Sequence, residues 1–378
     1  DRTHDRIRHR AQPLRDQRAV RRLRRDDMTA AIRQQLLDTA RRNVDSGWLP
    51  ACQVAVARDG ELIAFETFGD ATNDDRFLAF SCTKPIVASV VWQLMAEGSL
   101  EISRPVASYV PEFAGAGKGA VTVEQVLLHT AGFPNAEIGA VAGADPARRL
   151  AALASWELEW EPGTQFEYHA SSAHWVLAEL IERLDGRDFR DAIEARVCTP
   201  LGLPRLLGLP LDRQDHIALP VPVGDAVGGP RLHAEMIATP EVIAAGIPGG
   251  GGVMTAASLA LFYQGLLHNP GELWRPDVLA DATGNIRCTL PEPLFGIAAN
   301  RSIGLVIAGD DGNHVMRYAG FGQSCSPTSF GHAGMHMQVG WADPASGISF
   351  AYLTNGADSD VMKEGGRGVA LSDLAARL

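Results

Sequence analysis

Phe80-Ser81-Cys82-Thr83-Lys84-Pro85-Ile86-Val87 opens a segment that runs on to Met95-Ala96-Glu97-Gly98. Ile86, Val87, Val90, Val91, Leu94 and Met95 recur at helical spacing, which predicts a helix from about Ser81 to Glu97, stopped by Gly98. Just before it, Gln53 to Gly69 reads as a hairpin: an alternating run to Arg58, an Asp59-Gly60 turn, then Leu62 to Phe68. Residues 100–250 read mostly as helices between Pro/Gly loops, among them Val123–His129, Ala173–Leu184 and Asp188–Val197. A further helix, about Ala257–Leu267, follows the run Gly249–Gly252. A second hairpin, Met335–Trp341 with Ile348–Thr354, precedes a terminal helix over about Val369–Leu378. Strands at both ends with helices between imply an α/β (α+β) fold. Its antiparallel sheet is built from both chain ends, flanked by helices, with a mostly helical domain between.

The charge balance narrows the partners. The 378 residues include 34 basic and 45 acidic ones, a formal charge of -11, which disfavours nucleic acid and anionic membrane. Residues 1–27 hold ten arginines and five aspartates and read as a flexible Arg-rich leader, leaving -16 on residues 28–378. Met28 looks like a natural start, because Ile32, Leu36, Leu37, Ala40 and Val44 then follow at helical spacing. No apolar run approaches the roughly 20 residues of a membrane span. Cys52, Cys82, Cys198, Cys288 and Cys325 are scattered and odd in number, which fits reduced thiols in the cytoplasm. Lysine is scarce: Lys84, Lys118 and Lys363 stand against 31 arginines. A lysine kept in such a chain marks a position where arginine would not do.

Lys84 has such a reason. If Ser81 opens the helix, Lys84 lies one turn on, within reach of the serine hydroxyl. A hydroxyl needs a nearby base to become a nucleophile, and a desolvated lysine can hold its neutral form while arginine cannot. The tetrad alone fits a helix cap beside a solvated lysine equally well. Other segments resemble the serine β-lactamase and DD-peptidase superfamily, particularly its class C-like branch with carboxylesterases. They cover about residues 50 to 355 in the family's order. Ser81-Cys82-Thr83-Lys84 resembles the S-x-x-K motif, and Gly98-Ser99-Leu100 through Tyr109-Val110-Pro111-Glu112 resembles the G-x-L…Y-x-P-E segment. Leu127-Leu128-His129-Thr130-Ala131-Gly132 is similar to L-L-x-H-T-S-G. Pro162-Gly163 before Phe166 and Tyr168 resembles P-G-x-x-F-x-Y, and His332-Ala333-Gly334 stands where the family has K-T-G or H-x-G.

The resemblance implies a β-lactamase/transpeptidase-like fold, with the α/β part at about 28–80 and 300–378 and the helical part at about 100–260. It implies Ser81 as acylated nucleophile, Lys84 as general base or proton relay, and Tyr168 sharing proton transfer with its phenol acidified by the lysine. The oxyanion hole would be the backbone N–H groups of Ser81 and Met335, with Gly334 letting the strand approach substrate. Two departures stand out. Tyr168-His169-Ala170 replaces Y-x-N, and His332 replaces a lysine that binds the substrate carboxylate in penicillin-recognising members. Both suit an uncharged ester, with His332 and His169 as further substrate-side groups. The expected activity is a serine carboxylesterase acting on a small-molecule ester, without metal or organic cofactor. An amide hydrolase or acyltransferase on the same machinery, or an inactive binding module, are the alternatives. Trp156, Trp160 and Phe166 are candidates to wall an acyl site, His174-Trp175 to line it, and Gly249–Gly252 to form a hinge or pocket rim.

Overall fold

Asp59 and Gly60 both take positive φ, 54° and 80°, the pair of left-handed positions a type I′ turn demands. The turn joins β1 (Ala51–Arg58) to β2 (Glu61–Gly69) with Arg58 opposite Glu61. In chain order there follow β3 (Arg76–Phe80), β4 (Gly252–Met254), β5 (Val306–Ile307), β6 (Phe330–Gly334), β7 (Gln338–Asp343) and β8 (Ile348–Thr354). The main sheet runs β2-β1-β8-β7-β6-β5 and is antiparallel throughout, so strands from the two ends of the chain pair at its centre. A small second sheet sets β3 between Ile217–Ala218 and β4. The computed structural model of the chain describes residues 27–223, 237–358 and 360–378; of the expected leader only Asp27 is among them.

Alternation along the central strands buries both faces of the sheet. Ala51, Ala55 and Ala57 of β1, with Ala351 and Leu353 of β8, face one core, whereas Cys52, Val54, Val56, Phe350 and Tyr352 face the other. The first face is floored by small residues and receives α6 (Ala256–His268) at close range. A Cβ on Gly340 would lie 2.7 Å from the Tyr263 ring. The second face is covered by α1 (27–45), through Ile32, Leu36 and Ala40, and by α7 (Val361–Ala376), through Leu371, Leu374 and Ala375.

The helical region is built around α2 (Lys84–Ala96), whose Trp92 indole donates to the Ile303 carbonyl at 2.9 Å. α3 (Val123–Leu127) starts on a capping box between Thr122 and Gln125. α4 (Pro146–Ser155) and α5 (Ser172–Asp185) are tied by the buried Arg149, 2.9 Å from Glu179 and 3.0 Å from Glu182. Two elements near the C-terminal end differ from the sequence-based expectation. The terminal helix begins at Val361, capped by Asp360, which accepts from the Lys363 N–H. The run Met335–Trp341 is not one strand: β6 ends at Gly334, and Met335–Met337 form a turn with His336 and Met337 at φ 56° and 55°. β7 starts only at Gln338, whose amide bonds both the N–H and the C=O of Thr354 on β8. No helix among the described residues is long and apolar enough to cross a membrane.

Candidate active site

The corner between β3 and α2 places Ser81. Phe80 sits at φ 45°, ψ -132°, a left-handed conformation that costs a non-glycine residue on the order of 1–3 kcal/mol. Thr83 holds the corner: its hydroxyl donates to the Phe80 carbonyl at 2.6 Å and accepts from the Gly252 N–H at 2.9 Å. Ser81–Thr83 form a single 3-10 turn and the α-helix starts at Lys84, three residues later than the apolar spacing predicts. The corner still turns the lysine back onto the serine.

Lys84 Nζ lies 3.2 Å from Ser81 Oγ, 2.7 Å from the Ala170 carbonyl and 2.6 Å from the Gly249 carbonyl. Nζ donates to both carbonyls, and the Ser81 hydroxyl is its third partner. The side chain is fully buried. Burial first, and the nearby Arg301 charge second, hold its pKa well below the usual lysine range. The glycine run 249–252 is therefore the floor of the site. It supplies the Gly249 carbonyl to Lys84 and the Gly252 N–H to Thr83, and a Cβ on Gly249 would stand 3.3 Å from Lys84 Nζ.

Tyr168 closes the opposite side, with Lys84 Nζ 4.9 Å and the Arg301 guanidinium carbon 5.2 Å from its ring centroid. Its hydroxyl is sealed from solvent without a well-aligned hydrogen-bond partner and has Ser81 as a neighbour. Burial pushes its pKa up to about 12, against the lowering pull of Arg301 and Ser81. The expectation of a phenol acidified by the lysine is thus reversed: desolvation outweighs the pull of Arg301 and Ser81, and Tyr168 carries its proton at neutral pH.

Arg301 is the residue the sequence did not single out. Its Nη1 donates to His332 Nε2 at 3.1 Å, and its Nε finds no partner. It is 6% exposed and lines the cavity over Ser81, with no carboxylate in ion-pair reach among the described residues. His332 Nδ1 lies 2.6 Å from the Ala333 carbonyl, so the network assigns the ring proton to Nδ1 and leaves Nε2 as the acceptor from Arg301. His332 is fully buried, neutral through desolvation, and stands behind Arg301. It does not line the cavity, and both ring nitrogens are occupied, which corrects its expected role as a donor toward substrate.

β6 brings the last element. A Cβ on Gly334 would lie 2.5 Å from the Ala79 carbonyl, so this glycine is needed because the strand presses on the residues that lead into Ser81. Steric room for substrate is not what the position is short of. The next residue, Met335, lines the same cavity as Ser81, and the Tyr318 hydroxyl donates to the Gly334 carbonyl at 2.9 Å. The cavity measures about 390 Å³ and includes Phe166, Tyr168, Arg301 and Val306 in its walls.

The Beta-lactamase family profile matches residues 30–374. The chain belongs to the β-lactamase family. It is 27% identical over 321 residues to the esterase/β-lactamase LipL of Mycobacterium tuberculosis, covering 75% of this chain and 70% of LipL. Esterase EstB of Burkholderia gladioli is 30% identical over 274 residues, 60% of this chain and 67% of EstB. A solved penicillin-binding protein homolog from Caulobacter crescentus matches with a TM-score of 0.76 and 26% identity, covering 92% of this chain and 98% of the homolog.

In this β-lactamase-family chain the structure gathers Ser81, Tyr168 and Met335 at one cavity, with Lys84 and Gly334 buried directly behind them, and leaves other expected residues outside it. His169 is fully buried, with Nδ1 2.6 Å from the Glu167 carbonyl and Nε2 accepting from the Phe133 N–H at 3.1 Å. It braces the loop before α5 and does not reach substrate. Trp156 packs tilted against Phe133 in the helical core, Trp160 stands edge-on to His169, and His174 and Trp175 are buried in α5. Of the aromatic candidates only Phe166 walls the cavity. Arg301 left no local signal, because it is one of 31 arginines and meets His332 only through strand pairing.

Proposed function

We propose that this β-lactamase-family hydrolase is a serine carboxylesterase working through an acyl-enzyme on Ser81. The observation that carries the reading is the buried, carbonyl-anchored Lys84 Nζ 3.2 Å from Ser81 Oγ, its pKa held well below the usual lysine range by desolvation. Ser81 Oγ attacks the ester carbonyl carbon while its proton passes to Lys84 Nζ. The N–H groups of Ser81 and Met335 hold the resulting oxyanion. The tetrahedral adduct collapses by breaking the bond to the alcohol oxygen, which takes a proton from the Tyr168 hydroxyl. The Lys84 ammonium then returns a proton to Tyr168. Water repeats the sequence on the acyl-enzyme, losing its proton to Lys84 and releasing the acid as Ser81 recovers its own. The esterase names of LipL and EstB support the choice of an ester.

The test is hydrolysis of p-nitrophenyl butyrate together with intact-mass detection of a fluorophosphonate adduct. The wild type should turn over the ester and gain one adduct, and Ser81→Ala should lose both. Absence of turnover, or turnover that survives Ser81→Ala, overturns the proposal. A second reading, a hydrolase of amides or lactams bearing a carboxylate, is favoured by Arg301, which returns a permanent cation to the cavity beside the neutral His332. It requires turnover of a chromogenic cephalosporin that Arg301→Met abolishes.

A further inference from the structure

We infer that the substrate ester carries a linear apolar chain, which leaves the catalytic cavity and lies in a second chamber walled by α7. This rests on the esterase reading. The second chamber, about 310 Å³, shares Leu294, Phe295, Met316, Arg317 and Tyr318 with the catalytic cavity, so the two adjoin, and we take them as one groove that starts at Ser81. Its far wall is Val361, Met362 and Val369 of α7. Leu294, Met362 and Val361 are 75%, 74% and 65% exposed, an unusual concentration of solvated apolar side chains around one groove.

Most polar members of these walls are already engaged. Arg317 pairs with both carboxylate oxygens of Asp311 and donates to the Ala298 and Ala308 carbonyls. Glu364 accepts from the Asp358 N–H and lies 3.1 Å from His336 Nδ1. The Tyr318 hydroxyl is committed to the Gly334 carbonyl, which leaves its ring for the groove. What remains for a ligand beyond the catalytic groups and Arg301 is mostly hydrocarbon surface. The rim is also built to stay exposed: Glu292 accepts from the N–H groups of both Leu294 and Phe295 and fixes their turn outward over the groove. Met316 and Met362, flexible and unbranched, suit a chain of variable length.

Two ester series on the full chain distinguish the acyl side from the alcohol side: p-nitrophenyl alkanoates from acetate to dodecanoate, and n-alkyl acetates of the same lengths. In one of them kcat/KM should rise beyond four carbons by up to about fourfold per added methylene. Met362→Asp should then cut kcat/KM for the dodecyl-length substrate at least tenfold and change the butyl-length one less than twofold. Leu211→Asp, a charge placed at an exposed leucine elsewhere, should change neither. Flat or falling profiles beyond four carbons in both series, or equal losses at both lengths in Met362→Asp, overturn the inference while short-ester turnover leaves the esterase reading intact. If no ester of any length is hydrolysed, the esterase reading falls and takes this one with it.

Discussion

At the scale of single residues, Lys84 is where chemistry and composition meet. Arginine would keep a cation beside Ser81 but cannot present a lone pair, and its fork of donors does not fit two carbonyls and a hydroxyl. Lys84→Arg and Lys84→Met should both lower kcat/KM on p-nitrophenyl butyrate by about 10²–10⁴. An arginine variant that kept a tenth of wild-type activity would remove the general-base role. The pH profile has a fixed sign. As the proposed base, Lys84 works unprotonated and its folded pKa is depressed, so activity should fall as pH drops through that value and reach its plateau well below pH 10.5. Lys84 was legible because lysine is rare here, and Tyr168 because it stands five residues after Gly163. Arg301 and His332 were not legible as a pair, since 31 residues separate them and only the strands around β5 and β6 bring them together. The loss of a lysine at His332 therefore read as a loss of charge from the site, whereas the charge comes from another element.

Among the elements, β6 controls the site most directly because it touches both the corner before Ser81 and the proposed oxyanion donor. Gly334→Ala puts a methyl group against the Ala79 carbonyl, and the strand must move away by several tenths of an ångström. The proposed oxyanion pair then opens, which should reduce kcat about 10²–10³-fold while KM stays within a few-fold. Near-UV circular dichroism checks that the packed fold persists, and a wild-type kcat in the folded variant would show that Met335 N–H does not serve. The hairpin β1–β2 was readable because Asp59-Gly60 admits few backbones other than the one observed. The turn Met335–Met337 was hidden for the opposite reason. Its alternating residues satisfy a strand pattern, and only the long-range bonds of Gln338 to Thr354 show where pairing begins. Four consecutive glycines announced an unusual backbone, but the sequence held nothing to say that Lys84 and Thr83 would lean on it.

The whole molecule bears the consequence of sealing so many titratable groups around one cavity. His129, His169, His174 and His332 are all buried, and desolvation is the leading cause that lowers each pKa, for His169 from 6.5 to about 4. Between those two values the unfolded chain binds a proton at His169 that the native state refuses, and the other three histidines shift in the same direction. Stability therefore rises with pH across that window and is lost as pH falls through it. Each such histidine contributes up to about 1.4 kcal/mol per pH unit, so His169 alone accounts for about 3 kcal/mol between pH 6.5 and 4. The carboxylates act later. Asp185, Asp311 and Asp358 are held below the usual range by hydrogen bonds and arginine or lysine partners, so the stability they add is present above about pH 4 and is lost as pH falls further. Acid unfolding should thus begin above the carboxylate range, with the urea midpoint dropping steadily from pH 7 to pH 5. His169→Gln should shallow that slope by removing one proton-linked site. A midpoint independent of pH between 7 and 5 would mean that these imidazoles accept protons without unfolding the chain, and the dry environment invoked for Lys84 would lose its main thermodynamic signature.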